Sequence, residues 1–383
     1  MLVPDYYYII VGGGLAGLQL ASRISNDVFF KGKKIAIIEP QAKIENDKTW
    51  CFWQNSPGKW DDLIHKSWKK TGFFSSETEE ILNLGDYTYN MIRSADFYES
   101  VKKKLDKTEE FVFINDKIEK IDPVTRAAIG QKANYTATHF FDSRPDDHYK
   151  AKGKHTVLYQ HFKGWIIETQ ENIFDPDIFT IMDFRLKYED STSFTYLLPL
   201  TRNKALVEFT FFTPFLTKEE VYDEMLEKYI RQILNLKTWE IRETETGIIP
   251  MTDYPFHKEN SAYITKIGTG GGWVKASSGY SFKTTEKKVE QLIQNIKSGV
   301  SPSQGLFNKD FAQYDSIFLD VLARRNDLGE RLFTKFYTKN SMEDIFRFLD
   351  EETSFSENLK IMLSLYHPEF IKSFFRKLLS SRR

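Results

Sequence analysis

The chain of 383 residues contains one cysteine, Cys51. That excludes an internal disulfide framework and leaves too few thiolates for an iron–sulfur cluster or a structural zinc site. A reducing compartment and no metal centre are expected. Net charge is also nearly absent, because Lys+Arg number 53 and Asp+Glu 54. No uniformly anionic partner such as nucleic acid is expected from such a balance. Long apolar runs are missing too. No segment approaches the roughly 18 apolar residues of a spanning helix, and the N-terminus lacks the basic region that opens a signal peptide. A cytoplasmic protein without membrane spans is expected. Internal repeats and low-complexity stretches are likewise missing.

Aromatic side chains, by contrast, are abundant at 15%, with 32 Phe, 19 Tyr and 7 Trp. Large flat groups suit a ring-bearing or polyene ligand, and they also fill ordinary cores. The length admits two domains with a substantial core.

Tyr6 to Val11 is an apolar, β-rich run that ends in Gly12-Gly13-Gly14, after which Leu15 to Ile24 has helical spacing and Lys33 to Glu39 reads as a second strand. This is strand, turn, helix, strand. Gly12-x-Gly14-x-x-Gly17 therefore sits in the context that a dinucleotide fingerprint requires. Gly12 permits the tight turn, Gly14 lets the backbone approach a diphosphate, and Gly17 lets the helix lie close to the strand. The helix N-terminus, at Leu15 and Ala16, offers free amides to the phosphates. Glu39, at the end of the second strand, stands where an acid accepts hydrogen bonds from an unphosphorylated ribose. FAD and NAD share this fingerprint. A second glycine loop, Gly268-Thr269-Gly270-Gly271-Gly272, favours FAD, since two-domain flavoproteins return late in the chain with a strand and a glycine turn beside the flavin.

Elsewhere the pattern from Pro40 to about Ser100 is irregular, with Trp50, Phe52, Trp53, Trp60 and Trp68 scattered through it, and reads as an insertion. Strand-like runs cluster from Thr156 to Phe212, Thr217-Lys218-Glu219-Glu220 has capping-box spacing ahead of a long helix, and helical patterns dominate after Ser301. The expected class is α/β. A Rossmann-like FAD-binding domain (residues 1–155, with an insertion around 45–100) is followed by a sheet-rich substrate domain (156–240), a return to the first domain (241–300) and a helical C-terminal region (301–383).

With these pieces placed, the chain resembles the FAD-dependent lycopene β-cyclases of carotenoid-making bacteria. The resemblance rests on Ile10 to Leu18, Lys48-Thr49-Trp50, Gln160-His161-Phe162-x-Gly164, Met182-Asp183-Phe184-Arg185, Leu198-Pro199-Leu200, Leu206-Val207-Glu208, Gly247-Ile248-Ile249-Pro250-Met251-Thr252, and Gly268-Thr269-x-Gly271-Gly272-x-x-Lys275-Ala276-Ser277-Ser278-Gly279-Tyr280. It departs from the family at Phe209, where a second acid is common, and at Asp142-Ser143-Arg144-Pro145, where many members read Asp-Ala-Arg-Gly. The resemblance implies an isomerase that closes the linear ends of lycopene into β-ionone rings. It also implies reduced FAD with no net redox change, and NAD(P)H as the source of electrons.

Such a cyclisation needs a proton delivered to an alkene carbon and a dry cavity in which the cation survives. A carboxylic acid serves if burial keeps it neutral. Glu208 lies on an alternating strand, sharing a face with Leu206, Thr210 and Phe212. It is the expected acid. The base is left open: the conjugate base of Glu208 or the flavin would suffice, and Asp183 is a weaker candidate.

A lipid-dissolved substrate requires contact with a membrane surface. Ile371, Phe374, Phe375, Leu378 and Leu379 recur at helical spacing, and Lys372, Arg376, Lys377, Arg382 and Arg383 supply charge. A basic amphipathic helix of this kind either lies peripherally on the inner face of the cell membrane or docks on the protein body. Two other readings stand beside the cyclase. One is a flavin monooxygenase or prenyl reductase, and the other is a non-catalytic carotenoid-binding flavoprotein.

Overall fold

The computed structural model describes residues 3–151 and 155–380. Arg382 and Arg383 lie outside them. The chain opens with β1 (Tyr6–Val11), α1 (Leu15–Ser25) and β2 (Ile35–Ile38), as the glycine spacing predicts. The segment expected to be irregular instead holds five strands: β3 (Thr49–Gln54), β4 (Ile64–Trp68), β5 (Lys70–Phe74), β6 (Glu79–Asn83) and β7 (Thr88–Arg93). Its tryptophans hid the alternation. Trp53, Trp60 and Trp68 are core residues at strand ends and turns, where periodicity is not readable. Then come α2 (Ser94–Leu105), β8 (Phe111–Ile114), β9 (Ile118–Asp122), β10 (Ala127–Gly130) and β11 (Asn134–Asp142).

The next stretch carries β12 (Val157–Glu168), β13 (Ile178–Asp183), β14 (Ser193–Pro199), β15 (Lys204–Thr213), α3 (Glu219–Gln232) and β16 (Glu240–Thr252). The chain then gives β17 (Ile264–Lys266) and α4 (Phe282–Lys297). It ends in α5 (Lys309–Arg324), α6 (Gly329–Lys339), α7 (Met342–Leu349), α8 (Phe355–Ser364) and α9 (Pro368–Ser380). Helix α3 is not closed by the expected capping box. Lys218 is the N-cap residue, and no side chain caps the first turn.

Two large sheets organise these elements. In the first, β8, β2, β1, β11 and β17 run parallel, with β10 and β9 extending it antiparallel. Helices α1, α2 and α4 share one hydrophobic core with it. This doubly covered parallel sheet explains the unbroken burial of Ile35–Ile38. The second sheet has the order β16-β12-β15-β14-β13-β5-β6. Two strands of the insertion thus complete the substrate sheet, β5 lying parallel to β13. One face of β15 (Val207, Phe209, Phe211) packs on Met225, Leu226, Tyr229 and Ile230 of α3. The other face meets the helical C-terminal region, so every residue of β15 after Lys204 is buried.

Helix α9 is docked on the body with its polar side inward. Arg376 forms two hydrogen bonds to Asp320 of α5 at 3.0 and 2.6 Å, Ser373 is buried, and Lys377 pairs with Asp253. Ile371, Phe374, Phe375, Leu378 and Leu379 remain exposed. Among the described residues, no helix is long and apolar enough to cross a membrane.

Gly17 shows how tightly the first unit closes, since a Cβ there would lie 2.0 Å from the carbonyl oxygen of Gly12. Gly17→Ala is expected to destabilise the fold by about 2 kcal/mol, through overpacking against backbone that cannot retreat. The check is a lowered urea midpoint at unchanged slope; an unchanged midpoint would contradict the close approach.

Candidate functional site

Both sheets contribute to one cavity of about 700 Å³. Gly14, Leu15 and Ala16 from the start of α1 line it, together with Ser143, Gly268 and Thr269. Gly12 takes φ +106°, which only glycine adopts without strain, and nothing lies within 4 Å of a Cβ built on Gly14. That opening places bare backbone and the uncapped N-terminus of α1 against empty space, an arrangement suited to phosphate oxygens. Gly12, Gly17, Glu39, Gly271 and Gly272 stand behind this lining. The Glu39 carboxylate accepts from the Gly13 and Gln41 amides at 2.9 and 3.0 Å and so fixes the glycine loop. A Cβ on Gly271 would lie 2.5 Å from the Lys266 carbonyl oxygen, and Gly272 takes φ +66°. Those two glycines shape the second turn.

The loop that follows is tied down by charge. Buried Lys275 forms ion pairs at 3.1 Å with both Asp315 of α5 and Glu351 after α7. Beside it, the hydroxyls of Ser277 and Ser278 line the cavity, that of Ser277 next to the Asp315 carboxyl and that of Ser278 without a protein partner. Buried polar atoms of this kind usually find a ligand or water.

Elsewhere the cavity is apolar, walled by Phe162, Phe194, Phe212, Phe318, Phe333 and Phe336. Met362, Leu365, Phe370, Ile371 and Phe374 of the last two helices and their connection line it as well. Within these walls is one polar row. Strand register sets Tyr196 opposite Glu208, Glu208 opposite Gly164, and Gly164 opposite Glu245. Direct partners in an antiparallel sheet point to the same face, so the four positions cross β14, β15, β12 and β16 in line. Gly164 has no side chain to separate the two acids. A Cβ there would lie 3.4 Å from Glu208 Cβ and 3.3 Å from Glu245 Cγ. The two carboxyls accordingly hydrogen-bond to each other.

Burial pushes the Glu208 carboxyl well above the usual carboxylate range, and the neighbouring Glu245 charge adds to the effect. Thr210 Oγ donates to it at 2.9 Å. Glu245 is raised by burial too, but less strongly, because Thr49 Oγ donates to it at 2.7 Å, the Glu208 carboxyl hydrogen-bonds to it and Arg93 supplies nearby positive charge. Of the two, Glu208 is therefore held the more strongly toward its neutral form. The Tyr89 hydroxyl hydrogen-bonds to those of Tyr196 and Tyr280 at 2.7 Å each. Burial raises all three phenols and pushes the adjacent Cys51 thiol up to about 12. Every one of these groups is neutral at physiological pH.

The structure thus brings Glu208 into the same cavity as the glycine loop of α1. Asp183, the weaker candidate for the base, is held by Arg185 at 3.0 Å and Tyr229 at 2.7 Å and does not line the cavity. Glu245, Tyr89 and Tyr196 are not evident in the sequence. Glu245 precedes the Gly247 to Thr252 motif inside a charged run, Glu240-Ile-Arg-Glu-Thr-Glu, that has no apolar alternation.

A protonated buried acid has a thermodynamic consequence. Its folded pKa exceeds its unfolded one, so from the unfolded pKa of about 4.3 upward the unfolded chain releases a proton that the folded chain keeps. Stability is lost over that window. Glu208→Gln, which cannot ionise, is expected to be more stable than the parent at pH 7 by about 1.4 kcal/mol or more, the gap closing below about pH 4. Thermal unfolding across pH checks this; a variant less stable at pH 7 would contradict a neutral Glu208.

Comparison with known proteins follows the same lines. The family model described as lycopene cyclase protein matches residues 8–377. No curated protein matches the chain. Among solved structures, a geranylgeranyl bacteriochlorophyll reductase-like protein from Thermoplasma acidophilum is 13% identical, with 97% of this chain and 98% of that one covered and a TM-score of 0.62. A flavin-dependent brominase is 12% identical, with 94% and 93% covered and a TM-score of 0.60. A flavin-dependent halogenase from Xanthomonas campestris is 10% identical, with 99% and 95% covered and a TM-score of 0.60. At such identities the likeness bears on the fold.

Proposed function

Because the chain belongs to the lycopene cyclase family, we propose that it is a lycopene β-cyclase, which converts the linear ends of lycopene to β-ionone rings with reduced FAD and no net redox change. The observation that carries this reading is a buried, protonated Glu208 in an aromatic cavity that also opens on the glycine loop of α1.

The residues fit FAD. Gly14 leaves room for a diphosphate, α1 presents free amides at Leu15 and Ala16, Glu39 stands by for a ribose, and Gly268, Thr269 and the Ser277 and Ser278 hydroxyls face the same cavity. When bound and reduced, such a flavin supplies negative charge that stabilises a nearby cation. NAD(P)H is the proposed source of electrons. The protein's own part begins with Glu208, whose O–H delivers a proton to the terminal alkene. Phenylalanine walls keep water from the resulting cation while the ring closes. The neutral tyrosine triad adds hydroxyl dipoles without a competing nucleophilic anion.

Substrate reaches the cavity from lipid in this reading. The exposed Phe374 and Ile371 of α9 also line the cavity, so an apolar surface and the chamber share side chains. A helix that turns its arginine and lysine to the body and its aromatics outward suits the acyl region of a bilayer. The protein is then peripheral on the cytoplasmic membrane face.

Expression in a lycopene-accumulating host should turn red cells orange-yellow, and Glu208→Gln should abolish the change, with a loss of at least about 100-fold in the purified enzyme with reduced FAD. Oxidation of NAD(P)H in step with product would point instead to a monooxygenase or prenyl reductase. No turnover from a flavin-loaded protein that still binds lycopene would point to a carrier. Replacing both Phe375 and Leu379 by Asp is expected to cut sedimentation with lipid vesicles severalfold while leaving flavin content intact; undiminished sedimentation would remove α9 from membrane contact.

A further inference from the structure

The geometry points to Glu245 as the base that completes the reaction, with Glu208 and Glu245 acting as one proton-sharing pair across Gly164. The inference rests on the assignment of Glu208 as the acid and goes beyond it, because it supplies the group that takes the last proton. Three observations carry it. The two carboxyls lie on one row of three adjacent strands, and the only residue between them lacks a side chain. They hydrogen-bond to each other. Both line the cavity, so either can reach a molecule within it.

Their surroundings make them unequal. Glu208 has a single hydroxyl donor and otherwise faces apolar groups, Cys51 and the neutral phenols of Tyr196 and Tyr280. Glu245 has the Thr49 hydroxyl and the positive charge of Arg93 on its side, while the charge of Lys48 acts on both carboxyls. Arg93 is itself shared with Glu243, and the Lys43–Asp47 pair lies on the same cavity wall. The proton thus starts on Glu208. In the forward step the Glu208 O–H bond breaks and a C–H bond forms at the alkene. The ring C–C bond then forms. A C–H bond next to the cationic carbon breaks, its electron pair becoming the ring double bond, and its proton forms an O–H bond on Glu245. Transfer across the carboxyl–carboxyl hydrogen bond returns the proton to Glu208. Atoms and electrons balance, and no solvent proton is needed between the two ends of one substrate.

The pair is active only when singly protonated, so the pH–rate profile should be bell-shaped, the acid limb reporting Glu245 and the alkaline limb Glu208. The test uses the holoenzyme with reduced FAD and lycopene. Glu245→Gln should lower kcat about 100-fold, remove the acid limb, and move the alkaline limb to lower pH, because the charge that raises Glu208 is gone. Flavin content and melting temperature report folding. Thr49→Val is the second variant. It removes the hydroxyl that favours ionised Glu245 and should shift the acid limb to higher pH. Infrared spectroscopy of the flavin-free protein gives a readout apart from turnover. The carbonyl band of a protonated buried carboxyl should vanish in Glu208→Gln and should titrate away at lower pH in Glu245→Gln. If Glu245→Gln stays within threefold of the parent with an unchanged profile while Glu208→Gln is inactive, the pair is overturned and the acid assignment stands. If Glu208→Gln is active, the acid assignment itself falls, and the pair with it.

Discussion

Water must be kept from one strand, and most of the architecture serves that requirement. Strand β15 is buried on both faces, by α3 on one side and the cavity with its helical cover on the other. A carboxyl placed there loses its hydration and stays protonated. Folding around an unionised acid costs stability at neutral pH, and chains keep such groups mainly where chemistry uses them. The Thr210 hydroxyl, which donates to this carboxyl, offsets part of that cost.

The two sheets meet around this strand because neither could supply the whole site. The first sheet provides the bare backbone at Gly14, which a phosphate can approach but an apolar polyene cannot use. The second provides flat walls and the acid row. The loop from Lys275 to Tyr280 joins them, with Lys275 fastened to Asp315 and Glu351 and Tyr280 hydrogen-bonded to Tyr89. Removing one partner of such a buried ion pair leaves an uncompensated charge, which is far worse than losing a surface contact. The loop geometry is thereby tied to the helical region that roofs the cavity.

How far these features can be read from the residues depends on what each element faces. The β1–α1–β2 unit is plain in the glycine spacing, because backbone approach and φ constraints act on single positions. The alternation of β15 is likewise plain, and the structure puts Leu206, Glu208, Thr210 and Phe212 on the cavity side as the pattern implies. Strand β16 was not legible. It closes one end of its sheet and carries Glu240, Arg242, Glu243 and Glu245, so its sequence looks like a solvated loop while its backbone pairs along β12. The five strands between Thr49 and Arg93 were missed for a related reason. Short strands split between two sheets have no common face to advertise. Glu245 itself is visible only through register, since nothing local indicates that Gly164 will stand opposite both it and Glu208.

Helix α9 shows the same limit from the other side. Its amphipathic spacing was legible, but spacing cannot say which stripe faces the body. A soluble helix normally buries its apolar stripe; here Arg376 and Lys377 find Asp320 and Asp253 beneath them, and Ser373 sits at the contact. Each of those acids is on the protein, so the charges of Arg376 and Lys377 are already paired. What remains outward is an apolar surface on α9, with Leu359 and Leu363 of α8 also exposed. If the proposed membrane contact is made through this surface, burial of hydrocarbon contributes to it, and that interaction survives high salt, where an electrostatic one fades. The near-zero net charge of the whole chain is consistent with such a mode of attachment, since no long-range field is needed to hold the protein where an apolar substrate dissolves.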